Sequence, residues 1–310
     1  MTTTALLAAI GVALDAALGE PRRLHPLVGF GQAVARLEAR LSSPRLAQRP
    51  VAARIAGALA VAALVAPPVA LLAAAGTTGL GPLVDVLALY FALGARSLSE
   101  HAAAVAEPLA AGDIAAARSR VALIVSRETA GMDADAVSRA AVESVLENGA
   151  DAVFATLFWF AIAGGAGAVA HRLVNTLDAM WGDRTDRYRF FGWAAARLDD
   201  ALNWLPARLT ALTYAMLGRT RGALACWRDQ APAWYSPNAG PVMAAGAGAL
   251  GVTLGGAARY HGALKERPTL GLGRAPGASD IGRAVRLVRF GIGVWLASLA
   301  AIDLGRWWLG

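Results

Sequence analysis

The sequence has little charge, one cysteine and four scattered histidines. Of its 310 residues, 16% are charged and 56% are hydrophobic, and the mean hydropathy is +0.47. Soluble domains carry roughly 25% charged residues, so this composition indicates a membrane protein. Cys226 stands alone, which excludes an internal disulfide and any metal site built from cysteines only. The histidines are too widely spaced for a zinc motif: His25, His101, His171 and His261.

Familiar catalytic and nucleotide-binding motifs are also missing. The sequence contains no Walker A loop, no GxGxxG after a strand, no HExxH and no GxSxG. Of its 29 basic residues all but Lys265 are arginine, a residue suited to bidentate recognition of phosphate or carboxylate. Codon bias would produce the same excess. The arginines are spread between apolar segments, so we expect no nucleic-acid partner.

Long uncharged stretches are what the sequence does have. No residue charged at neutral pH occurs in 55–84, 152–170 or 230–258, and about 20 apolar residues span a bilayer. The opening segment Thr2–Leu18 lacks a basic n-region and carries Asp15, so we expect a retained membrane helix rather than a signal peptide. We predict an all-α, polytopic integral membrane protein with about five membrane helices and lipid as a partner.

One stretch, about 96–151, reads as a short amphipathic helical module between membrane segments. Two helices, Ser99–Ala110 and Ile114–Val125, are predicted around Gly112 and Asp113, and Asp135 is the predicted cap of the next helix. We treat residues 1–310 as a single membrane-embedded domain. The arginine-rich block 171–208 favours a segment 152–170 that re-enters the membrane, or a site at membrane depth where irregular backbone is tolerated.

An acidic stripe closes this module. Arg139, Glu143, Glu147 and Asp151 are four residues apart, so on an α-helix they share one face. Stacked carboxylates repel by roughly 0.2–0.5 kcal/mol per exposed pair, which calls for a cation. With Asn148 they could ligate Mg²⁺. A solvated acidic face capped by Arg139 is the alternative.

A second polar group follows in the least charged part of the chain. Asn175 and Asp178 are three apart, and Arg197, Asp199, Asp200 and Asn203 fall within two helical turns. Ionisable residues inside membrane segments indicate a functional site. Helix capping and an Arg197–Asp200 pair are the alternative.

Further residues suit an anionic ligand. Ser236–Gly240 places a turn before a glycine-rich helix, whose N–H groups can face an anion; an ordinary loop before a membrane helix looks the same. Four arginines and a tyrosine could bind phosphate groups: Arg127, Arg187, Arg197, Arg208 and Tyr188. The alternative is that these are ordinary arginines at the membrane interface.

A series of short motifs runs in order along nearly the whole chain: Leu14-Asp15 through Gly19-Glu20-Pro21, His25-Pro26, Arg127-Glu128-Thr129, Glu143-Ser144 with Glu147–Asp151, Asn175–Met180, Phe191-Gly192, Ala196–Asp200 with Asn203, Pro206–Arg208, Ser236–Gly240, and Leu254–Gly256 with Tyr260 and Gly262. In these motifs the chain resembles the CobD/CbiB family of adenosylcobinamide-phosphate synthases. Glu20 and Glu128 stand where the family usually has Asp, and Ala179 where Ser is common; the charge is kept at the first two.

The resemblance implies a multi-pass plasma-membrane enzyme of late cobalamin biosynthesis. It would join adenosylcobyric acid to (R)-1-amino-2-propanol O-2-phosphate using ATP and Mg²⁺, alone, as a homo-oligomer or with other enzymes of the pathway. The expected catalytic residues are Glu147, Asp178, Asp199, Asp200 and Arg127. The expected substrate-binding residues are Arg197, Arg208, Asn148, Asn175, Asn203, Tyr188, Ser236 and Asn238. The expected metal ligands are Glu143, Asp151, Asp178 and Asp199.

Two other functions stay open. An AmpE-like membrane protein would share the superfamily without the pathway role, although the dense Asn/Asp motifs disfavour it. A transporter would line an ion path with these carboxylates, but transporters are typically built from paired halves with corresponding broken helices. The sequence shows no such repeat.

Overall fold

Helices account for most of the chain in a computed structural model that describes residues 3–21, 25–183, 185–260 and 262–309. His261 lies outside these ranges. The only strands in the described part are four of three residues each, so the all-α prediction is confirmed. In chain order the helices are α1 (Thr4–Leu18), α2 (Pro26–Leu41), α3 (Pro44–Ala47), α4 (Pro50–Gly76), α5 (Gly81–Ala92), α6 (Ala95–Ala110), α7 (Ile114–Val121), α8 (Ala134–Asn148), a π-helical segment (Gly149–Ala155), α9 (Thr156–Trp181), α10 (Trp193–Leu217), α11 (Thr220–Gln230), a 3₁₀ turn (Ala231–Ala233), α12 (Ala239–Leu250) and α13 (Ala278–Leu309).

Four described helical stretches are long and apolar enough to cross a membrane. They are Pro50–Gly76, Gly81–Ala110, Ala134–Trp181 and Ala278–Leu309. Two other apolar helices, α1 and α12, have 15 and 12 residues, and about 20 are needed to span a bilayer. The polytopic membrane class is thus confirmed, with four helices of spanning length where about five membrane helices were predicted.

The chain divides into two compact units. Unit 1 comprises Met1–Gly94, Ala155–Asn203 and Ser298–Gly310, and unit 2 comprises Ala95–Phe154 and Trp204–Ala297. The predicted single membrane-embedded domain stays a prediction.

Unit 1 packs its helices closely through glycine. A Cβ on Gly57 in α4 would lie 1.9 Å from the Phe191 carbonyl oxygen, so only glycine permits this approach. The core beside it contains Val34, Leu177 and Trp181. Small residues at helix contacts are typical of membrane proteins, where van der Waals packing replaces much of the hydrophobic driving force.

Helix α9 is broken inside its apolar half. Gly164 has φ +59° and ψ −152°, a conformation essentially restricted to glycine, and Ala163 is also non-helical. The freed Gly165 N–H donates to Asp85 Oδ1 of α5 at 2.7 Å. The break lies within 152–170, the segment predicted either to re-enter the membrane or to cross it beside a site at membrane depth. Whether this segment re-enters the membrane stays a prediction.

Residues 96–151, for which an amphipathic helical module was predicted, lie in unit 2. The turn between α6 and α7 has Gly112 at φ +82°, and the Asp113 side chain accepts from the Ala116 N–H, as predicted. The cap of α8 was predicted wrongly. Asp133 accepts from the Ala136 N–H at 2.8 Å, and Asp135 lies in the first helical turn.

Helix α12 is buried along its whole length in unit 2. It ends at Leu250, because Gly251 adopts φ +67° and reverses the chain. Four short strands follow in two antiparallel pairs. They are β1 (Thr253–Gly255) with β4 (Thr269–Gly271), and β2 (Ala258–Tyr260) with β3 (Ala263–Lys265).

Candidate functional site

The polar residues singled out from the sequence fall into a cluster in each unit. In unit 1 the acidic cluster lies on the second half of α9 and the first half of α10. Asn175 Nδ2 donates to Asp199 Oδ1 at 3.3 Å, and Asp178 lies within electrostatic range of Asp199 and Asp200. The structure therefore brings the two motifs together, although they are about 20 residues apart in sequence.

The acidic cluster is only partly neutralised. Arg197 pairs with Asp200 at 3.0 Å, as the alternative interpretation expected. Asp199 is half-buried on α10. Burial raises the pKa of Asp199, and the negative charge of Asp200 raises it further. A hydrogen bond from Asn175 lowers it, and the resulting pKa is about 6. A carboxylate held this way is ionised at pH 7 but lacks full compensation, which favours a bound cation.

The acidic cluster has the donor chemistry that Mg²⁺ prefers. Mg²⁺ in nucleotide sites is typically held by one or two carboxylates together with substrate phosphates. Asp178 and Asp199 supply such oxygens on neighbouring helices. Among the described residues, no group of three or more His, Cys, Asp and Glu side chains is arranged to hold a metal by itself. The metal assignments of Asp178 and Asp199 stay predictions.

Gly182 leaves room for the Asp178 carboxylate. A Cβ at Gly182 would lie 2.2 Å from Asp178 Oδ1 and 2.6 Å from the Asp178 carbonyl oxygen. Its backbone angles, φ −71° and ψ −20°, suit any residue, so only the contact forbids a side chain.

We expect Gly182→Ala to displace the Asp178 carboxylate and to lower catalytic turnover by about 10- to 100-fold, because misplacement by 1 Å can cost on the order of 100-fold. The protein should still fold. Turnover of the purified variant measures this, with Gly79→Ala as control since no atom lies within 4 Å of a Cβ there. Equal turnover in Gly182→Ala and wild type would contradict the role given to Asp178.

Two other predicted binding residues of unit 1 are engaged within the protein. The Tyr188 hydroxyl donates to Glu38 Oε1 at 2.7 Å, where Trp181 Nε1 and Arg187 also contact the same carboxylate. Asn203 Oδ1 lies 3.0 Å from His171 Nε2, and both residues are buried. The shared contact with Glu38 favours structural roles for Tyr188 and Arg187, whereas Asn203 Nδ2 is buried without a hydrogen-bond partner among the described residues.

In unit 2, Glu143 is the centre of a buried ion-pair network. It contacts Arg127 Nη2, and it accepts from Arg267 at 3.0 and 3.2 Å. The Gly255 N–H donates to Glu143 Oε1 at 2.7 Å. Both carboxylate oxygens are thus already engaged. These contacts favour a structural role for Glu143 and Arg127, in which they hold the loop after α12 in place. They argue against the predicted roles in metal binding for Glu143 and in catalysis for Arg127.

The rest of the acidic stripe is divided by a change of helix type. Asp151 lies in the π-helical segment, so the prediction of one continuous α-helical face is wrong. The Tyr214 hydroxyl donates to the Leu146 carbonyl at 3.1 Å where the π-helix begins, and π-helical turns are frequent at functional sites. Glu147 is half-buried within electrostatic range of Arg127 and Arg267. Asn148 donates to the Ser144 carbonyl.

The predicted anion-binding residues of unit 2 do lie together. Arg208 donates to Asn238 Oδ1 and to the Pro237 carbonyl, both at 3.2 Å. Ser236 Oγ accepts from the N–H groups of Asn238 and Ala239. The turn that precedes α12 therefore positions Arg208. The sequence did not reveal this contact, because Pro206–Arg208 and Ser236–Gly240 are about 30 residues apart.

Several residues of this region were missed in the sequence. Arg267 is 4% exposed and lies 5.4 Å from the centre of the Trp234 ring, yet it occurs in an unremarkable Gly/Pro/Arg loop. Lys265 lies over the Tyr235 and Tyr260 rings at 5.0 and 5.9 Å. Its signal was its rarity, because it is the one lysine in an arginine-rich chain.

The chain matches known proteins along almost its full length. The family model described as CobD/Cbib protein matches residues 8–288. A cobalamin biosynthesis protein CobD from Chromobacterium violaceum is 58% identical, with 97% of each chain covered. The CobD of Stutzerimonas stutzeri is 58% identical over 92% of this chain and 93% of its own, and that of Mycobacterium tuberculosis strain CDC 1551 is 43% identical over 93% and 92%. No solved structure matches significantly. The chain therefore belongs to the CobD/Cbib family of cobalamin biosynthesis proteins.

Proposed function

We propose that this protein is an ATP-dependent, amide-forming ligase of the plasma membrane. It joins adenosylcobyric acid to (R)-1-amino-2-propanol O-2-phosphate and gives adenosylcobinamide phosphate. Membership of the CobD/Cbib family supports the pathway. The acidic cluster of unit 1, with Asp178 and Asp199 on neighbouring helices, is the observation that carries an enzymatic role.

The reaction needs activation because a carboxylate does not react with an amine until it has a leaving group. ATP supplies a phosphoryl group, and Mg²⁺ neutralises the phosphate charge. The carboxylate oxygen attacks the γ-phosphorus and ADP leaves; the amine nitrogen then attacks the acyl carbon, loses a proton, and inorganic phosphate departs. The net products are the amide, ADP and phosphate.

The residues of the chain take two kinds of role in this proposal. Asp178 and Asp199 provide oxygen ligands for Mg²⁺, and Asn175 orients Asp199 through its hydrogen bond. Arginines bind the negative charge of the substrates. Arg208 suits that role best, because the oxygens to which it donates are the uncharged Trp204 carbonyl, Pro237 carbonyl and Asn238 amide.

A turnover assay tests the proposal. Detergent-purified protein is incubated with adenosylcobyric acid, aminopropanol phosphate, ATP and Mg²⁺, and corrinoid products are identified by mass spectrometry. We expect a product with the added mass of aminopropanol phosphate minus water, which disappears without ATP or with a chelator. A parallel reaction with unphosphorylated aminopropanol tests the amine donor. Absence of product together with absence of Mg²⁺–ATP and corrinoid binding would favour the transport alternative.

The pH dependence of turnover tests the role of Asp199. A metal ligand must be deprotonated, so we expect kcat/KM to fall as the pH decreases through about 6, the pKa of this carboxyl. Asn175→Leu removes a donor that favours the ionised form. It should raise the pKa of Asp199 and move the acid limb of the pH profile to higher pH. An acid limb at the same pH in Asn175→Leu and wild type would contradict the assignment.

A further inference from the structure

Unit 2 contains a cavity that the metal-binding residues do not explain. Its volume is about 480 Å³, within the range of roughly 300–1,000 Å³ that is typical of small-molecule sites. Three aromatic and three proline side chains form flat, rigid walls, which favour a flat ligand. We call this cavity the aromatic pocket; it is lined by Arg208, Trp227, Arg228, Ala231, Pro232, Trp234, Tyr235, Pro237 and Pro241.

One residue that lines the aromatic pocket has a side-chain hydrogen-bond donor without a partner in the described part of the chain. Trp234 is only 6% exposed, and within the described part of the chain its Nε1 has no hydrogen-bond partner. Its ring stacks on Tyr235 with centroids 5.1 Å apart and an interplanar angle of 29°. Buried polar groups in native proteins are nearly always satisfied, so an acceptor on a ligand is the expected partner of this N–H.

The aromatic pocket is also positively charged. The Arg208 guanidinium lies 4.2 Å from the centre of the Trp204 ring, and its described hydrogen bonds go to uncharged oxygens. Arg228 is paired with Asp229 at 2.7 Å. The Lys265 ammonium lies over the Tyr235 ring, which is itself part of the pocket wall. A flat ligand that carries negative charge or borders an anion therefore fits best.

We propose that the aromatic pocket binds an adenine base. Adenine presents a flat face for the Trp227 wall of the pocket and ring nitrogens that accept from Trp234 Nε1 at the edge of the base; base stacking on aromatic side chains is a general mode of recognition. The inference rests on the proposed function, in which two reactants contain adenine. One is ATP, and the other is the corrinoid, through its adenosyl ligand.

Lys265 provides a reporter for this pocket, because it is the only side-chain amine in the sequence and is exposed beside Tyr235. The rate of its acetylation by an amine-directed reagent is followed by mass spectrometry without divalent cations, so that binding to the acidic cluster is not measured. The probes are ATP, inorganic triphosphate, adenosylcobyric acid and hydroxocobyric acid, which lacks the adenosyl group.

We expect at least about fivefold slower acetylation with an adenine-containing probe. Protection by ATP and not by triphosphate identifies the nucleotide as the source of the base. Protection by adenosylcobyric acid and not by its hydroxo form identifies the corrinoid. Protection by neither adenine compound, or equal protection by the adenine-free partner of each pair, overturns the proposal.

Trp234→Phe sharpens the test, because it keeps an aromatic ring and removes the N–H. We expect the protecting probe to bind about fivefold more weakly, as the loss of one hydrogen bond implies. Trp307→Phe is the matched control, since Trp307 is 73% exposed at the end of α13. Unchanged binding in Trp234→Phe would overturn the role of this N–H. Turnover in the synthase assay without adenine-dependent protection would reject adenine binding in this pocket and leave the proposed function standing. Adenine-dependent protection without turnover would support adenine binding and count against the proposed function.

Discussion

Replacing Asp178 or Asp199 with alanine is expected to lower synthase turnover by at least about 1,000-fold while the protein remains folded in the membrane. Each carboxylate is proposed to hold Mg²⁺ against the phosphates of ATP, and a metal ion supplies several kcal/mol of charge stabilisation in the transition state. The two residues lie on neighbouring helices, and Asn175 donates to Asp199. Their loss should therefore be more costly to turnover than to stability.

Initial rates of product formation by detergent-purified variants measure this effect, and size-exclusion chromatography reports whether the variants remain folded. Asp178→Asn is the isosteric version of the test, because it removes the charge and keeps the shape. Asp186→Asn is the control: Asp186 is an exposed carboxylate in unit 1 that takes no part in the proposed metal site, and this variant should retain most of the activity. Normal turnover in both alanine variants would falsify the assignment of the acidic cluster.

Replacing Glu143 with alanine is expected to destabilise the protein by about 3–5 kcal/mol, the usual cost of breaking a buried ion pair from one side. The change leaves the Arg127 and Arg267 side chains, which are only 9% and 4% exposed, without their carboxylate. It also removes the acceptor of the Gly255 N–H. The loop that carries β1–β4 should therefore loosen.

Thermal unfolding in detergent measures this loss, and the midpoint should fall clearly below that of wild type. Glu143→Gln keeps the shape of the side chain, so a large loss in that variant as well would identify the charge as the cause. Glu100→Ala breaks an exposed pair with Arg96, whose side chains are 61% and 37% exposed, and should cost at most about 0.5 kcal/mol. A Glu143→Ala midpoint equal to that of Glu100→Ala would contradict the structural role of the network.

Helix positions were largely predictable because their signals are local. Asp113 after Gly112 marks the start of α7, and the uncharged stretches 55–84 and 152–170 fall in helices of spanning length. The third uncharged stretch, 230–258, was predicted wrongly as a possible membrane span, because it holds only the 12-residue α12 and short strands. Helix ends were less predictable. Asp133 and Asp135 are both good caps by residue type, and the choice between them depends on which aspartate adopts extended backbone, which is φ −80° and ψ −179° at Asp133. The end of α12 depends similarly on the left-handed conformation of Gly251.

The residues of the two polar clusters were visible in the sequence, but their partners were not. Asp178, Asp199 and Asn175 were grouped by residue type and spacing, and the structure places them together. Glu143 was interpreted as a metal ligand because its neighbours in sequence offered too little positive charge. Its main partner, Arg267, is 124 residues away and could not be recognised from the sequence. Sequence spacing along a helix reports only neighbours three or four residues apart, so a partner from a distant loop leaves no periodic signal.

The sequence by itself determined the membrane class, the helical fold and the family, because composition, apolar length and continuous motifs are properties of short segments. Only the tertiary structure decided which polar groups are already satisfied. Tyr188 is engaged by Glu38, and Glu143 by two arginines, whereas Trp234 Nε1 lacks a partner among the described residues. The physical reason is that a buried polar group must find its partner through space, and folding brings that partner from parts of the chain that local patterns do not connect.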